Sequence, residues 1–212
     1  MEPDAKRILD LTGFDIPRSK IVKTQAEATD AASTIGYPVV VKVISTDLIH
    51  KSDAGGVVVG IENSHGLIDA FNHFSKFDGF EGMLVEEMVS GVELIIGAKI
   101  DRQFGLVILL GFGGREAEIY QDISLRMAPL SQADVHSMIR NLKAHQILEG
   151  YRGSEPIDMD RLVKTVKRFS SLMTELGEQI DSFDLNPVIC SSERCVVADA
   201  RIILKSKNIR QA

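Results

Sequence analysis

The chain has 212 residues, of which 44% are hydrophobic and 25% are charged, a balance typical of a soluble globular protein. Its net charge of -6 argues against a general affinity for nucleic acid, which requires a basic surface. No stretch approaches the ~18 apolar residues that a membrane span needs, and the acidic start, Met1-Glu2-Pro3-Asp4, lacks the apolar core of a signal peptide. We therefore expect a cytoplasmic protein with one large domain or two small lobes.

The first part of the chain alternates between helical and strand patterns. An alanine-rich segment, 25–35, predicts a helix with Thr24 as its N-cap and Gly36 as its stop. Pro38 precedes an almost continuous apolar run, 39–44, which predicts a strand. The remaining predicted elements of this part are helices over 5–11 and 67–77 and strands over 19–23 and 57–62. We interpret residues 1–81 as a small α/β lobe.

A second lobe is predicted over residues 82–212. Five consecutive aliphatic residues, 106–110, predict a strand that is buried on both faces. Apolar residues at helical spacing predict a long helix over 158–176. The remaining predicted elements are strands over 83–88 and 92–100, a helix over 131–142, and a closing hairpin with arms 183–189 and 195–202. Because no flexible linker separates the lobes, we expect them to pack closely, with a cleft between them.

The two cysteines lie in the closing hairpin. Cys190 and Cys195 are five positions apart, a spacing that fits neither a zinc knuckle nor a CxxC redox pair. A hairpin could bring them close enough for a disulfide, but a cytoplasmic chain rarely keeps one. We interpret both as thiols that help to fill the sheet.

A lysine inside an apolar strand is the first candidate for a binding site. Strand alternation places Lys42 on the face opposite Val41 and Val43. An edge strand with a lysine reaching water is the ordinary alternative, but the aliphatic neighbours favour contact with phosphate. The loop that follows contains His50 and ends in Gly55-Gly56, which allow backbone N–H groups to approach an anion. An ordinary polar loop is the alternative for this segment.

Three further segments are less distinctive. Val85-Glu86-Glu87-Met88-Val89 joins two strands and could present backbone groups to a purine edge, although an acidic strand end is an equal alternative. Gly111-Phe112-Gly113-Gly114 is not G-x-G-x-x-G, which excludes a Rossmann fingerprint. Arg126 is a candidate anion clamp, with a surface salt bridge as its alternative.

The closing hairpin carries acidic and amide side chains in otherwise apolar strands. Asp184 and Asn186 share one face of the first arm, and Asp199 can come opposite them from the second. Such oxygen ligands suit Mg²⁺, which takes its other ligands from water and phosphate. Polar pairing within the hairpin is the alternative, but acidic groups in apolar strands are costly without a partner, so we favour the metal.

Taken in order, these motifs resemble the ATP-grasp (beta) subunit of ADP-forming acyl-CoA synthetases, typified by ADP-forming acetate–CoA ligase. The likeness spans nearly the whole chain, and its most specific string is His50-Lys51-Ser52-Asp53-Ala54-Gly55-Gly56-Val57. The other matching segments are Gly36-Tyr37-Pro38 with Lys42, Val85-Glu86-Glu87-Met88-Val89, Gly113-Gly114, Arg126-Met127-Ala128-Pro129-Leu130, Arg152-Gly153 and Asp184-Leu185-Asn186-Pro187.

The resemblance implies an α/β ATP-grasp fold, in which two α/β lobes hold ATP or ADP with Mg²⁺. It also implies a CoA-binding alpha subunit, in an alpha2beta2 hetero-oligomer, whose histidine becomes phosphorylated. The implied net reaction is acyl-CoA + ADP + phosphate ⇌ acid + ATP + CoA. Two other functions stay open: a stand-alone ATP-grasp ligase that joins a carboxylate to an amine, and a nucleotide-sensing module without chemistry.

The same resemblance implies a role for individual residues. His50 matches the family's loop histidine, a second phosphate carrier, and Arg126 would steady the moving phosphoryl group. Asn186 and Asp199 would coordinate Mg²⁺. The residues implied in nucleotide binding are Lys42 and the Gly55-Gly56 turn at the phosphates, Glu86, Glu87 and Met88 at the adenine, and Glu93 at the ribose.

Overall fold

The computed structural model describes residues 2–46, 54–114, 121–177 and 179–205. They divide into two compact units. The small unit is Pro17–Val89, and the large unit combines Met1–Ile16 with Ser90–Ala212. The described helices are α1 (Glu2–Leu11), α2 (Gln25–Ile35), α3 (Ser64–Phe74), α4 (Gln132–Arg140) and α5 (Met159–Leu176). The described strands are β1 (Ser19–Val22), β2 (Val39–Ser45), β3 (Val57–Ile61), β4 (Phe80–Glu87), β5 (Val92–Asp101), β6 (Gly105–Phe112), β7 (Ile123–Met127), β8 (Ile180–Cys190), β9 (Cys195–Val197) and β10 (Ala200–Leu204).

The small unit is a four-stranded antiparallel sheet in the order β1-β4-β2-β3, packed on α2 and α3. Helix α2 begins as predicted, since the Thr24 hydroxyl accepts the N–H of Glu27, and it ends at Gly36 with a φ of 96°. Alternate β2 residues, Val39, Val41 and Val43, are fully buried in the core beneath the helices. The side chains between them therefore lie on the opposite face of the sheet.

The large unit is a six-stranded antiparallel sheet in the order β10-β8-β5-β6-β7, with β9 paired to β8. The helices α1, α4 and α5 share a single hydrophobic core with one face of this sheet. Helix α5 confirms the predicted stripe, and its Phe169 meets Phe183 of β8 edge to face, with ring centroids 5.4 Å apart. We call the sheet face opposite the helices the open face.

The units differ from the predicted division at residue 82. Strand β4 pairs with both β1 and β2, so it belongs to the small unit. Helix α1 contacts β10 and belongs to the large unit. Both outcomes depend on partners distant in the sequence, and these cannot be deduced from local patterns.

The cysteine prediction was wrong. Cys190 and Cys195 lie directly opposite each other in the β8–β9 hairpin, with Cα atoms 4.1 Å apart, and they form a disulfide. The hairpin register therefore places the two sulfur atoms side by side.

Within the described residues, none of the helices combines the length and the apolar character that crossing a bilayer requires.

Gly91, at the start of the large unit's sheet, tests the tight packing there. Its φ is 152°, and a Cβ atom would overlap the carbonyl oxygen of Cys190. Gly153 is a matched control, since its φ is 91° and a Cβ atom would meet no atom within 4 Å. We expect Gly153→Ala to cost about 1 kcal/mol of unfolding free energy from the backbone conformation alone. Gly91→Ala should cost roughly 2 kcal/mol more because of the overlap.

Urea unfolding of both variants with an unchanged m-value would measure the two costs. Equal costs would show that the contact with Cys190 relaxes without strain.

Candidate functional site

Lys42 and Glu86 form a buried ion pair on the small unit's sheet. Lys42 lies opposite Leu84 in β4, and Glu86 lies opposite Val40 in β2, so the two charged side chains are diagonal neighbours on one face. Lys42 Nζ is 3.0 Å from Glu86 Oε2, and the side chains are only 8% and 2% exposed. Since β2 is an inner strand, the alternative of an edge lysine reaching water does not hold.

Because the pair is buried, the Lys42 ammonium needs a compensating anion. A buried ammonium is unfavourable unless an anion and hydrogen bonds compensate it. Glu86 supplies that compensation, so Lys42 stays within the sheet as a positioned cation. A cation held in this way is suited to phosphate oxygens.

The next carboxylate, Glu87, is held by a residue that the sequence analysis missed. The Arg18 guanidinium contacts the Glu87 carboxylate through Nε and donates from a terminal nitrogen to the Ile35 carbonyl, 3.0 Å away. The Glu87 N–H in turn donates to the Arg18 carbonyl at 2.9 Å. Arg18 therefore ties the end of β4 to β1 and α2. No local pattern identifies an arginine before a short strand, since its partner is 69 positions away.

The predicted adenine hinge thus consists of two carboxylates held by cations and the exposed Met88. The described end of the neighbouring loop lies beside β2, where the Val43 N–H donates to the Gly56 carbonyl at 2.8 Å. Gly55 has a φ of 72°, which favours glycine. His50, the predicted phosphate carrier, lies outside the described residues.

In the large unit, the structure brings together the two predicted metal ligands. The Asn186 N–H donates to the Asp199 carbonyl at 3.0 Å, and the Ala198 N–H donates to the Pro187 carbonyl at 2.9 Å. These backbone bonds hold the residues of the two hairpin arms side by side. The Asp199 carboxylate accepts the Ala200 N–H at 2.6 Å, which fixes its orientation.

An amide oxygen and a carboxylate form a donor set that suits Mg²⁺. Across the part of the chain that the structure describes, His, Cys, Asp and Glu side chains do not gather in threes as a metal site would require. A metal at Asn186 and Asp199 would therefore need further oxygen ligands from a bound molecule. Mg²⁺ in nucleotide sites is usually bound in this way, by one or two carboxylates together with phosphate oxygens and water.

Asp184 lies two residues before Asn186. It sits opposite Gly97 of β5 and Arg201 of β10. A Cβ atom on Gly97 would be 3.1 Å from Asp184 Oδ1, so the missing side chain makes room for the carboxylate. Burial raises the pKa of Asp184, while the charges of Arg201 and Lys99 oppose that rise.

Glu93 and the glycines after β6 are also neighbours. The Gly113 N–H donates to the Glu93 carbonyl at 2.8 Å. A Cβ atom on Gly114 would lie 3.4 Å from Glu93 Oε2, so the glycine segment passes close to this carboxylate.

Arg126 does not lie next to the predicted metal ligands Asn186 and Asp199. Its guanidinium donates to the Ser137 hydroxyl of α4 at 2.8 Å. Strand β7 is three strand spacings from β8, or about 14 Å. Its role at a moving phosphoryl group stays a prediction.

Three comparisons with known proteins agree on the family to which the chain is similar. The family model described as an ATP-grasp domain matches residues 1–204. The β subunit of acetate–CoA ligase [ADP-forming] I from Pyrococcus furiosus is 37% identical over 212 residues, covering 96% of this chain and 91% of that subunit. The 4-hydroxybutyrate–CoA ligase [ADP-forming] of Nitrosopumilus maritimus is 38% identical over 95% of this chain, but the chain spans only 30% of that protein.

A solved structure shows the same fold. It is an acetyl-coenzyme A synthetase of Ca. Korarchaeum cryptofilum in complex with coenzyme A and Mg-AMPPCP, with its phosphohistidine segment pointing towards the nucleotide binding site. The TM-score is 0.85 at 36% identity, covering 97% of this chain and 92% of that one. The chain therefore belongs to the ATP-grasp family, in the branch of the β subunits of ADP-forming acetate–CoA ligases. This confirms the predicted fold and family.

A double-mutant cycle tests the buried ion pair. Lys42→Met leaves the Glu86 carboxylate buried without its ammonium, and we expect it to cost about 3 kcal/mol of unfolding free energy. Adding Glu86→Leu should recover most of that cost, because apolar residues of similar volume often replace a buried pair without loss. Urea unfolding of the single and double variants gives the coupling energy. Costs that simply add would show that the two charges do not depend on each other.

Proposed function

We propose that this chain is the nucleotide-binding β subunit of an ADP-forming acyl-CoA synthetase. It would catalyse the step in which phosphate passes between a histidine and ADP, within the net conversion of acyl-CoA, ADP and phosphate to acid, ATP and CoA. In the ATP-forming direction, the phosphorus–nitrogen bond of phosphohistidine breaks while a terminal oxygen of ADP bonds to phosphorus. One observation carries the proposal: a buried, compensated lysine lies beside the Gly55-Gly56 turn in a chain that spans 91% of such a β subunit.

The residues have distinct roles in this proposal. Phosphoryl transfer depends mainly on positioning and on neutralising the charge of the phosphate oxygens. Lys42 would donate to those oxygens, and the Gly55-Gly56 turn would let backbone N–H groups approach them. Met88 would pack on the adenine, and Glu93 would accept from the ribose hydroxyls.

Mg²⁺, held by Asn186 and Asp199, would supply positive charge at the phosphate oxygens of ATP or ADP. The backbone bonds between the hairpin arms keep these two ligands together before any nucleotide arrives. His50 would carry phosphate between the nucleotide and the partner's histidine, because a neutral imidazole nitrogen is nucleophilic.

The partner is part of the proposal. The chain spans 30% of the 4-hydroxybutyrate–CoA ligase and 91% of a relative that is itself called a β subunit. We infer that a CoA-binding alpha subunit completes the enzyme, in an alpha2beta2 assembly, as the resemblance implies. The identity of the acid would then be determined in that partner.

The decisive experiment combines the chain with its CoA-binding subunit and measures ATP formation from ADP, phosphate and a panel of acyl-CoA thioesters. We expect Mg²⁺-dependent ATP formation with at least one thioester. Asp199→Ala should lower the rate at least ~100-fold, because it removes a charged ligand from the metal. Asp69→Ala is the control, since this carboxylate is 67% exposed and remote in sequence from the hairpin. If Asp199→Ala matched the wild type at every Mg²⁺ concentration, the metal assignment would be wrong.

His50 separates the proposal from a carboxylate–amine ligase, which needs no phosphohistidine. We expect His50→Ala to lower synthetase turnover at least ~100-fold, since it removes a covalent carrier. Nucleotide binding, measured by calorimetry, should be retained. Full turnover of this variant, together with the absence of acid-labile phosphate on any histidine, would contradict the relay.

A further inference from the structure

Arg18 is bound to the end of β4 through both its side chain and its backbone. Its guanidinium contacts the Glu87 carboxylate through Nε, and its carbonyl accepts the Glu87 N–H at 2.9 Å. A terminal nitrogen of the same guanidinium donates to the carbonyl of Ile35, the last residue of α2, at 3.0 Å. Together these contacts join the end of a strand to the end of a helix.

The contacts lie at the point where the pairing of β4 stops. In the described registers, the last paired residue of β4 is Glu87, which lies opposite Val39 of β2. The next strand, β5, begins at Val92, so residues 88–91 follow without a strand partner in these registers. The chain therefore leaves the sheet directly after the residue that Arg18 holds.

The Glu87 side chain lies on the helix face of the small unit's sheet. It sits opposite Val39, which is fully buried in the core beneath the helices, and directly opposite residues of an antiparallel pair project from the same face. Glu86, one residue earlier, projects to the other face, where it pairs with Lys42. The Glu87 carboxylate is therefore turned away from the phosphates that Lys42 is proposed to bind.

The two partners of this ion pair differ in their burial. The Glu87 side chain is 8% exposed, whereas that of Arg18 is 66% exposed. A buried carboxylate needs donors that compensate its charge, but an ion pair with a well exposed member adds little to the stability of the whole fold. The planar guanidinium can serve two acceptors at once, and the Ile35 carbonyl is among the last four of its helix, which lack intrahelical partners. The contact therefore acts locally, on the end of β4.

We propose that Arg18 is a positioning residue for the nucleotide base. By fixing Glu87, it holds the backbone of the adenine hinge in the place from which that backbone reads the edge of adenine. The inference rests on the proposed function, and it adds to that function a basis for base selection. Arg18 acts through Glu87 and not by contact with the phosphates.

The chemistry of the base provides a matched probe. Adenine presents a donor, its 6-amino group, next to an acceptor, the ring nitrogen N1. A backbone carbonyl and a backbone N–H match this pair only when the hinge lies at hydrogen-bonding distance from the base. Inosine diphosphate (IDP) has the ribose and diphosphate of ADP, but it carries an oxygen in place of the amino group and a hydrogen on N1. A site with a fixed hinge should therefore bind ADP more tightly than IDP.

The test compares the two nucleotides in the full chain. Arg18→Met keeps an apolar stem but removes the donors to Glu87 and Ile35. The double variant Arg18→Met, Glu87→Gln also removes the buried charge that the single variant leaves behind, so it separates positioning from a loss of stability. Lys76→Met is the control, since it removes one exposed positive charge from the same unit. Affinities for Mg-ADP and Mg-IDP are measured by calorimetry, and unfolding midpoints by circular dichroism.

We expect the single and the double variant to bind Mg-ADP at least ~10-fold more weakly, the factor that about 1.4 kcal/mol produces. Their affinity for Mg-IDP should stay at the wild-type value, so the preference for ADP is lost. Arg18→Lys should lie between, because an ammonium can pair with Glu87 but lacks the fork that also reaches Ile35. Lys76→Met should match the wild type with both nucleotides.

Steady-state kinetics with the CoA-binding partner gives a second readout. The KM for ADP should rise in the Arg18 variants while kcat is retained, since the base makes the same contacts in the ground state and in the transition state.

Three outcomes would overturn the inference. Unchanged Mg-ADP binding by the single and the double variant would mean that the hinge does not depend on Arg18. Equal losses for Mg-ADP and Mg-IDP would assign Arg18 a general structural role. Equal affinities of the wild type for the two nucleotides would mean that the hinge does not read the 6-amino group. If the wild type bound neither nucleotide, the proposed function itself would fail, and this inference with it.

Discussion

The ion pair between Lys42 and Glu86 is the constraint on which the small unit's site depends. Two charges are removed from water, and only their mutual attraction and further hydrogen bonds offset the cost. The pair exists because β4 lies next to β2, which makes two residues 44 positions apart diagonal neighbours on one face. Apolar residues of similar volume often stabilise a fold as well as a buried ion pair does. We infer that the charges are retained because a positioned cation is needed for binding an anion.

The two faces of the large unit's sheet carry different groups of side chains. The face beneath α1, α4 and α5 holds the apolar core, so it fixes the strands and their register. The open face is then available for ligands. Backbone bonds set Asn186 beside Asp199, and Gly97 leaves room for Asp184. The sheet can therefore hold the proposed metal ligands on a rigid support without disturbing the core.

Several features of the fold and site were predictable because their signals are local. The cap at Thr24, the stop at Gly36 and the apolar stripe of α5 depend on residues within a few turns of helix. The proximity of Asn186 and Asp199 was also predictable, because a short hairpin brings its arms together. Other features depend on distant partners. The link between Arg18 and Glu87, and the direction of Arg126 towards Ser137, follow from packing that no local pattern records.

By itself, the amino-acid sequence determined the family, most of the helices and strands, and the residue types that can bind a nucleotide and Mg²⁺. Those properties reside in short motifs whose chemistry is carried by neighbouring residues. The tertiary structure alone decided that Lys42 pairs with Glu86, that β4 belongs to the small unit, and that Cys190 faces Cys195. It also decided where apolar side chains remain uncovered. The physical reason is that strand order and register are set by hydrogen bonds and burial between segments far apart in the chain.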